Sequence, residues 1–283
     1  MNRGFSLAGT VTMPTAEKLE SKLSLVEERT GSDEEVIITI VYDNNGYNGR
    51  LTAAWGFSCI VECQHKTILF DTGGDGKVLL SNMAKQGISP DGIETIVLSH
   101  IHGDHTGGID ELLKRNGEVT VYLPLSFPEQ TKQHIKSYGV NLVEIHEPRE
   151  LFAGVFTTGE LGGEVREQAL LVKTSRGLVL VTGCAHPGVV NIVKRSKEIA
   201  RDNIYIVVGG FHLAGAFPSQ INYRAETLLQ LGVQRVALCY CSGDEARRLF
   251  KNYFGANYLE CGIGQEIVIR LHSTHGMKGN MKA

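Results

Sequence analysis

The chain has 283 residues, 42% of them hydrophobic and 21% charged, with a formal net charge of -3. At that length one large α/β domain or two small ones are possible and composition does not choose, but it suits a globular chain and excludes a disordered one; nothing in the charge favours nucleic acid, and no apolar run reaches the roughly 20 residues that cross a bilayer. Six cysteines are too sparse for a disulfide framework, so reduced thiols or metal ligands are expected, and without a basic-then-apolar leader the expected location is the cytoplasm.

In chain order, residues 1–35 alternate in charge (Glu17, Lys18, Glu20, Lys22, Glu27, Glu28, Arg29) and read as an N-terminal extension, a short helix or a mobile arm. From Val36 the β-branched runs Val36 to Tyr42, Gly56 to Glu62 and Lys66 to Phe70 read as strands, the last two joined by a polar turn holding His65. Lys77 to Gly87 has helical spacing and ends in a glycine; Ile93 to Leu98 returns as a strand. Helix Ile109 to Arg115, strand Val119 to Leu123 and helix Glu129 to Tyr138 follow, then a hairpin of Gln168 to Lys173 with Leu178 to Thr182. The second half repeats the scheme: strand Ile204 to Val208, helix Tyr223 to Leu231, strand Val236 to Tyr240, helix Asp244 to Tyr253 and a last strand near Ile267. Two such halves predict two sheets packed face to face with helices outside, a four-layer αββα sandwich in one domain over residues 36–269, with 270–283 a polar, glycine-rich tail.

The strand ending at Ser99 runs directly into His100-Ile-His-Gly-Asp-His105, three imidazoles and a carboxylate in six residues. Neutral imidazoles with a carboxylate are the donors that suit zinc, iron or manganese. His100 and His102, as alternate residues, can share one side, while Asp104 and His105 reach a second point, so two adjacent metals are expected. Two further strands end in ligand types: Gly177 to Thr182 runs into Gly-Cys184-Ala-His186 just before a helix, and Ile204 to Val208 into Gly-Gly-Phe-His212. Trp55 is read as core, His65, His134 and His146 as surface, and Cys239 and Cys241 as lying on opposite faces of a strand.

The segment Ser99-His-Ile-His-Gly-Asp-His-Thr-Gly-Gly108 resembles the signature of the metallo-β-lactamase superfamily. The resemblance implies that His100 and His102 bind one metal and Asp104 and His105 the other. It implies that Asp71, in Ile68-Leu-Phe-Asp-Thr-Gly73, orients a metal-binding histidine. It also implies ligand roles for His186 and His212 and a bridging slot for Cys184. Thr158-Gly-Glu160, Gly-Cys-Ala-His186 and Gly-Gly-Phe-His212 are similar to the branch of dihydropterin-ribofuranosylaminobenzene-phosphate synthase-like proteins. Two positions depart from better-known relatives: Glu160 stands where most hydrolases of the superfamily have a histidine, and Tyr240 where the branch has one before Cys-Thr-Gly. Both are candidate substrate-binding residues, and strand packing is the other reading of Tyr240.

The expected cofactors are two divalent ions, zinc first, with manganese or iron as alternatives. They would polarise a carbonyl or phosphoryl oxygen and activate a water, with Asp104 as the catalytic carboxylate. The expected activity is hydrolysis of a small ester, thioester, lactone or phosphorylated compound. The alternative from the branch is a synthase joining a dihydropterin diphosphate to a ribofuranosylaminobenzene phosphate with release of pyrophosphate. A small-molecule substrate is the expected partner, without nucleic acid or membrane; homo-oligomerisation is left open.

Overall fold

Alternation of β-branched residues gives the first strand two apolar faces, and the computed structural model, which describes residues 35–271, places it inside a sheet. Strands β1 (Glu35–Tyr42), β2 (Ser58–Cys63), β3 (Lys66–Phe70), β4 (Thr95–Val97), β5 (Thr120–Pro124) and β6 (Asn141–Ile145) form one sheet with the last strand, β13 (Glu266–Arg270), in the order β13-β1-β2-β3-β4-β5-β6. Strands β7 (Arg149–Phe152), β8 (Val155–Thr157), β9 (Leu170–Thr174), β10 (Gly177–Thr182), β11 (Ile204–Gly210) and β12 (Arg235–Cys239) form the other, in reverse chain order. The expected division into halves therefore has one exception: β13 crosses back to pair antiparallel with β1.

The helices are α1 (Gly76–Lys85), α2 (Gly103–Thr106), α3 (Ile109–Leu113), α4 (Glu129–Lys136), α5 (Val189–Ala200), α6 (Pro218–Gln230) and α7 (Asp244–Phe254). Asp75 caps α1 by accepting from the N–H groups of Lys77 and Val78, and Gly87, at φ +68, ends it.

Three apolar clusters define four layers. Between the sheets, Ile38, Val61 and Phe70 meet Val172, Val179, Val181 and Val208. On the outer face of the second sheet, Leu178, Leu180 and Val207 meet Ile192 of α5, Leu228 of α6 and Phe250 of α7. On the outer face of the first, Ile60, Leu69 and Val121 meet Leu79 of α1, Leu112 of α3 and Ile135 of α4. In β10 the alternation is visible residue by residue, Val179 and Val181 pointing between the sheets and Leu178 and Leu180 outward. The αββα sandwich is thus the observed architecture.

Most expected elements occur, with ends shifted by a few residues. Strands β6 to β8 have no counterpart in the sequence reading, because β6 and β7 are mostly exposed or half-buried without clear alternation and β8 is only three residues long. The 1–35 extension and the 270–283 tail lie outside the described residues except at Glu35, Arg270 and Leu271. Among the described residues no helix is long and apolar enough to cross a membrane.

Candidate metal centre

β3 and β4 run parallel in one sheet, and β10, β11 and β12 run parallel in the other. Asp71, His100, Cys184, His212 and Tyr240 all follow the carboxyl ends of these strands, where crossover topology opens a crevice. Seven non-glycine residues have positive φ among those described, and four of them, Asp71, Ala185, His212 and Tyr240, lie in these strand-end turns. The others belong to the β2–β3 hairpin turn (Gln64, His65) or the end of α5 (Arg201). Left-handed backbone at non-glycine residues costs roughly 1–3 kcal/mol and persists where the surroundings demand it, so it marks the centre independently of side-chain chemistry.

Asp71, fully buried, organises the first motif. Its Oδ1 accepts from Ser99 N–H at 2.7 Å, and its Oδ2 accepts from Ser99 Oγ at 2.7 Å and from His105 Nδ1 at 2.7 Å. With its proton committed to Asp71, Ser99 Oγ accepts from His100 Nδ1 at 2.9 Å. Both histidines thus carry the proton on Nδ1 and present bare Nε2 atoms inward. His100 Nε2 lies 3.2 Å from His102 Nδ1, and His105 Nε2 lies 3.2 Å from Cys184 Sγ. Thr72 N–H donates to the His105 carbonyl at 2.7 Å, and Gly108 packs so closely on the Thr72 carbonyl that a Cβ there would overlap it, which explains a glycine at the end of the motif.

The second sheet brings the remaining donors. Donor atoms of His100, Cys184 and His186 lie within 4.8 Å of one another, and so do those of Cys184, His212 and Cys241. Cys184 belongs to both groups. The His186 ring sits 4.7 Å from that of His100, 4.9 Å from His102 and 4.5 Å from His212. The loop holding Cys184 and His186 is fixed by the buried Glu167, whose Oε1 accepts from Gly183 and Ala185 N–H at 3.0 and 2.9 Å and whose Oε2 accepts from His186 N–H at 2.8 Å. Burial, opposed by these donors, still raises the Glu167 carboxyl to about 7.

Electrostatics divide the imidazoles: His100 and His186 are pushed toward the neutral ligand form, whereas His105 and, through a Cys241 hydrogen bond, His212 are raised. Burial and the neighbouring histidines push His100 well down, and burial with His212 and His102 lowers His186 to about 4. For His105 burial acts downward, but the Asp71 carboxylate prevails and raises it. Burial acts upward on Asp104, yet the Tyr240 hydrogen bond and His105 hold it below its ordinary value. Cys184 and Cys241 share a hydrogen bond that raises the first thiol and lowers the second.

These residues fit a divalent metal on their own chemistry. His186 Nε2 is buried and has no hydrogen-bond partner, although three imidazoles surround it. An unpaired buried nitrogen is costly in a protein interior, and a cation held by that nitrogen removes the cost. Imidazoles converging on a thiol and a carboxylate form a zinc- or iron-type donor set.

Three residues of the sequence reading sit differently from the rest. Tyr240 is not in the strand: β12 ends at Cys239, and Tyr240 begins a 3-10 turn, Tyr240–Ser242, with φ +46. The turn sends its buried side chain to Asp104, where the phenol donates to Oδ2. Glu160 is not drawn into the imidazole cluster; it accepts from Ser126 N–H at 2.6 Å and from His146 Nδ1 at 3.0 Å. Trp55, expected in the core, is 61% exposed, with its ring 4.8 Å from that of Tyr240 in an edge-on contact.

Glu167 and Cys241 were not anticipated as part of the centre. A glutamate flanking a strand ordinarily faces solvent, so nothing marked Glu167. Ser242-Gly243 was the available sign that Cys241 leaves the strand. The separation of Cys239 from Cys241 does hold: Cys239 Sγ lies 2.9 Å from Cys261 Sγ, away from Cys184 and His212.

The metallo-beta-lactamase superfamily pattern matches residues 57–195. Over 284 aligned residues the chain is 30% identical to the 7,8-dihydropterin-6-methyl-4-(beta-D-ribofuranosyl)-aminobenzene-5'-phosphate synthase of Methanocaldococcus jannaschii, covering 83% of this chain and 97% of that one. An uncharacterised protein of the same organism is 27% identical over 218 residues, 66% of this chain and 83% of its own. Among solved structures, a metal-dependent hydrolase of the β-lactamase superfamily matches with a TM-score of 0.70 at 27% identity, over 83% of this chain and 99% of that one. The metallo-beta-lactamase fold protein YhfI from Bacillus subtilis, at 14% identity and a TM-score of 0.63 over 83% of this chain and 99% of that one, shares the fold. With the fold, the strand-end centre and these relatives in agreement, the chain belongs to the metallo-β-lactamase superfamily and resembles its synthase branch.

Proposed function

We propose that the chain is a metal-dependent hydrolase whose centre takes two divalent ions, zinc first, and acts on a small ester, thioester, lactone or phosphorylated compound. The observation that carries this reading is the convergence of two donor groups on the shared Cys184 sulfur. His100, His102 and His186 would hold one ion; Asp104, His105 and His212 would hold the other, with Cys184 between them. The ions supply Lewis acidity toward a carbonyl or phosphoryl oxygen and toward an attacking water.

The protein's own groups orient and move protons. Asp71 and Ser99 fix the proton positions of His105 and His100. Tyr240 ties one oxygen of Asp104, so the other can accept a proton during attack. Glu167 holds the loop that carries Cys184 and His186.

A second reading has specific support. The relative at 30% identity is a synthase for a pterin-containing compound, and the exposed Trp55 beside Tyr240 offers a flat aromatic wall next to Asp104. On this reading the same ions would stabilise a departing pyrophosphate. Supplying a dihydropterin diphosphate and a ribofuranosylaminobenzene phosphate separately and together decides: pyrophosphate release that requires both supports the synthase. Turnover of simple esters or phosphodiesters without a cosubstrate supports the hydrolase.

A further inference from the structure

We infer that Cys241 is itself a ligand of the second metal position, making that position a thiolate-rich one with Cys184 and His212. The inference rests on the dinuclear reading above and adds a donor that the superfamily signature does not contain.

Three adjacent parallel strands, β10, β11 and β12, deliver the three donors from their carboxyl ends. The sulfurs of Cys184 and Cys241 and a ring nitrogen of His212 lie within 4.8 Å of one another. Ala185, His212 and Tyr240 all have left-handed backbone, so each chain turns sharply at its donor.

Room for the Cys241 sulfur is built into the fold. Gly210 ends β11, and a Cβ on it would come 2.4 Å from the Gly183 carbonyl and 2.6 Å from Cys241 Sγ, so a glycine there lets the backbone of the Cys184 loop and the Cys241 sulfur approach together. The turn is tied to the strand beside it, since Ala214 N–H donates to the Cys241 carbonyl at 3.1 Å and Phe211 N–H to Ser242 Oγ at 3.1 Å. Cys241 Sγ is buried and lies 3.7 Å from the Cys184 carbonyl. Cys239 turns elsewhere, its Sγ 2.9 Å from Cys261 Sγ.

Two thiolates soften the second position relative to an all-imidazole and carboxylate set, so it favours zinc or ferrous iron over manganese. On deprotonation each thiol yields one proton to solvent and its sulfur lone pair to the ion, with no change in oxidation state.

The test uses the full chain loaded with cobalt(II), whose bonds to thiolate give a near-ultraviolet charge-transfer absorption. With Cys184 bridging and Cys241 terminal, the wild type has about three cobalt–sulfur bonds, and Cys241→Ser should lower the absorption to about two thirds or less while circular dichroism is unchanged. Unchanged absorption at unchanged cobalt content overturns the inference and leaves the dinuclear reading standing. Wild-type protein that takes up no cobalt overturns both. If the serine variant does not fold, X-ray absorption of zinc-loaded wild type decides: about three zinc–sulfur bonds per chain at about 2.3 Å support the inference, and about two overturn it.

Discussion

Tyr240 donates its phenolic hydrogen bond to Oδ2 of Asp104, a residue 136 positions earlier in the chain, and so ties the turn that follows β12 to the first motif. The phenol is buried against Trp55 on one side and His105 on the other, its ring 5.5 Å from the imidazole. Burial and the Asp104 carboxylate push its proton loss far upward, which keeps it a donor throughout the working pH range.

Tyr240→Phe keeps the packing and removes that donor. A lost hydrogen bond to a charged group is worth about 1.5–3 kcal/mol, so kcat should fall roughly 10- to 100-fold with KM nearly unchanged. Steady-state kinetics separates this from a substrate contact, for which KM would rise while kcat held.

Asp71→Ala releases the proton positions of His105 and, through Ser99, of His100. Metal affinity should drop about 10- to 100-fold, as for other partners of ligating histidines. Competition with a coloured chelator measures it; an unaltered affinity would leave Asp71 a purely structural acid.

Glu160 serves a pH-dependent contact on the reading from its partners. Burial acts upward on its carboxyl, but the hydrogen bonds from Ser126 and His146 prevail and lower it. Because its folded value lies below its unfolded one, the stabilisation is complete above the unfolded value and is lost as pH falls through the folded value. Glu160→Ala should therefore cost about 1 kcal/mol at pH near 7, roughly 2–4 °C in Tm, and the gap should narrow as pH falls below the ordinary carboxylate range and close below the lowered folded value. Melting curves across that range check it. A loss of activity with Tm unchanged at every pH would return Glu160 to substrate binding.

Trp55 is the single tryptophan of the chain, so its fluorescence reports on the mouth of the centre without labelling. A planar heteroaromatic ligand should quench it on titration, and Trp55→Ala should raise KM about 10-fold with little change in kcat. An aliphatic ester as good substrate with no quenching would remove the aromatic wall from the account.

The first motif and most strands were legible in the sequence because both are local patterns: alternation fixes which face a strand buries, and four donors in six residues need no tertiary information. His186 and His212 were legible as strand-end histidines. Cys241 and Glu167 were not, since each acts across elements and becomes part of the centre only when β12 is seen to end one residue early and when Glu167 turns inward under the Gly183–His186 loop. Trp55 was misread because a large aromatic residue is usually core, and its exposure follows from where its loop meets Tyr240.

The central claim is that two metal ions occupy this cluster and are required for activity. Metal analysis of protein purified without added metal, with turnover followed through chelation and readdition, tests it most directly. About two divalent ions per chain, with activity lost on chelation and restored by zinc, is the predicted result. Full activity in protein stripped of metal, or the same ion content in a His100→Ala/His186→Ala variant, would contradict it.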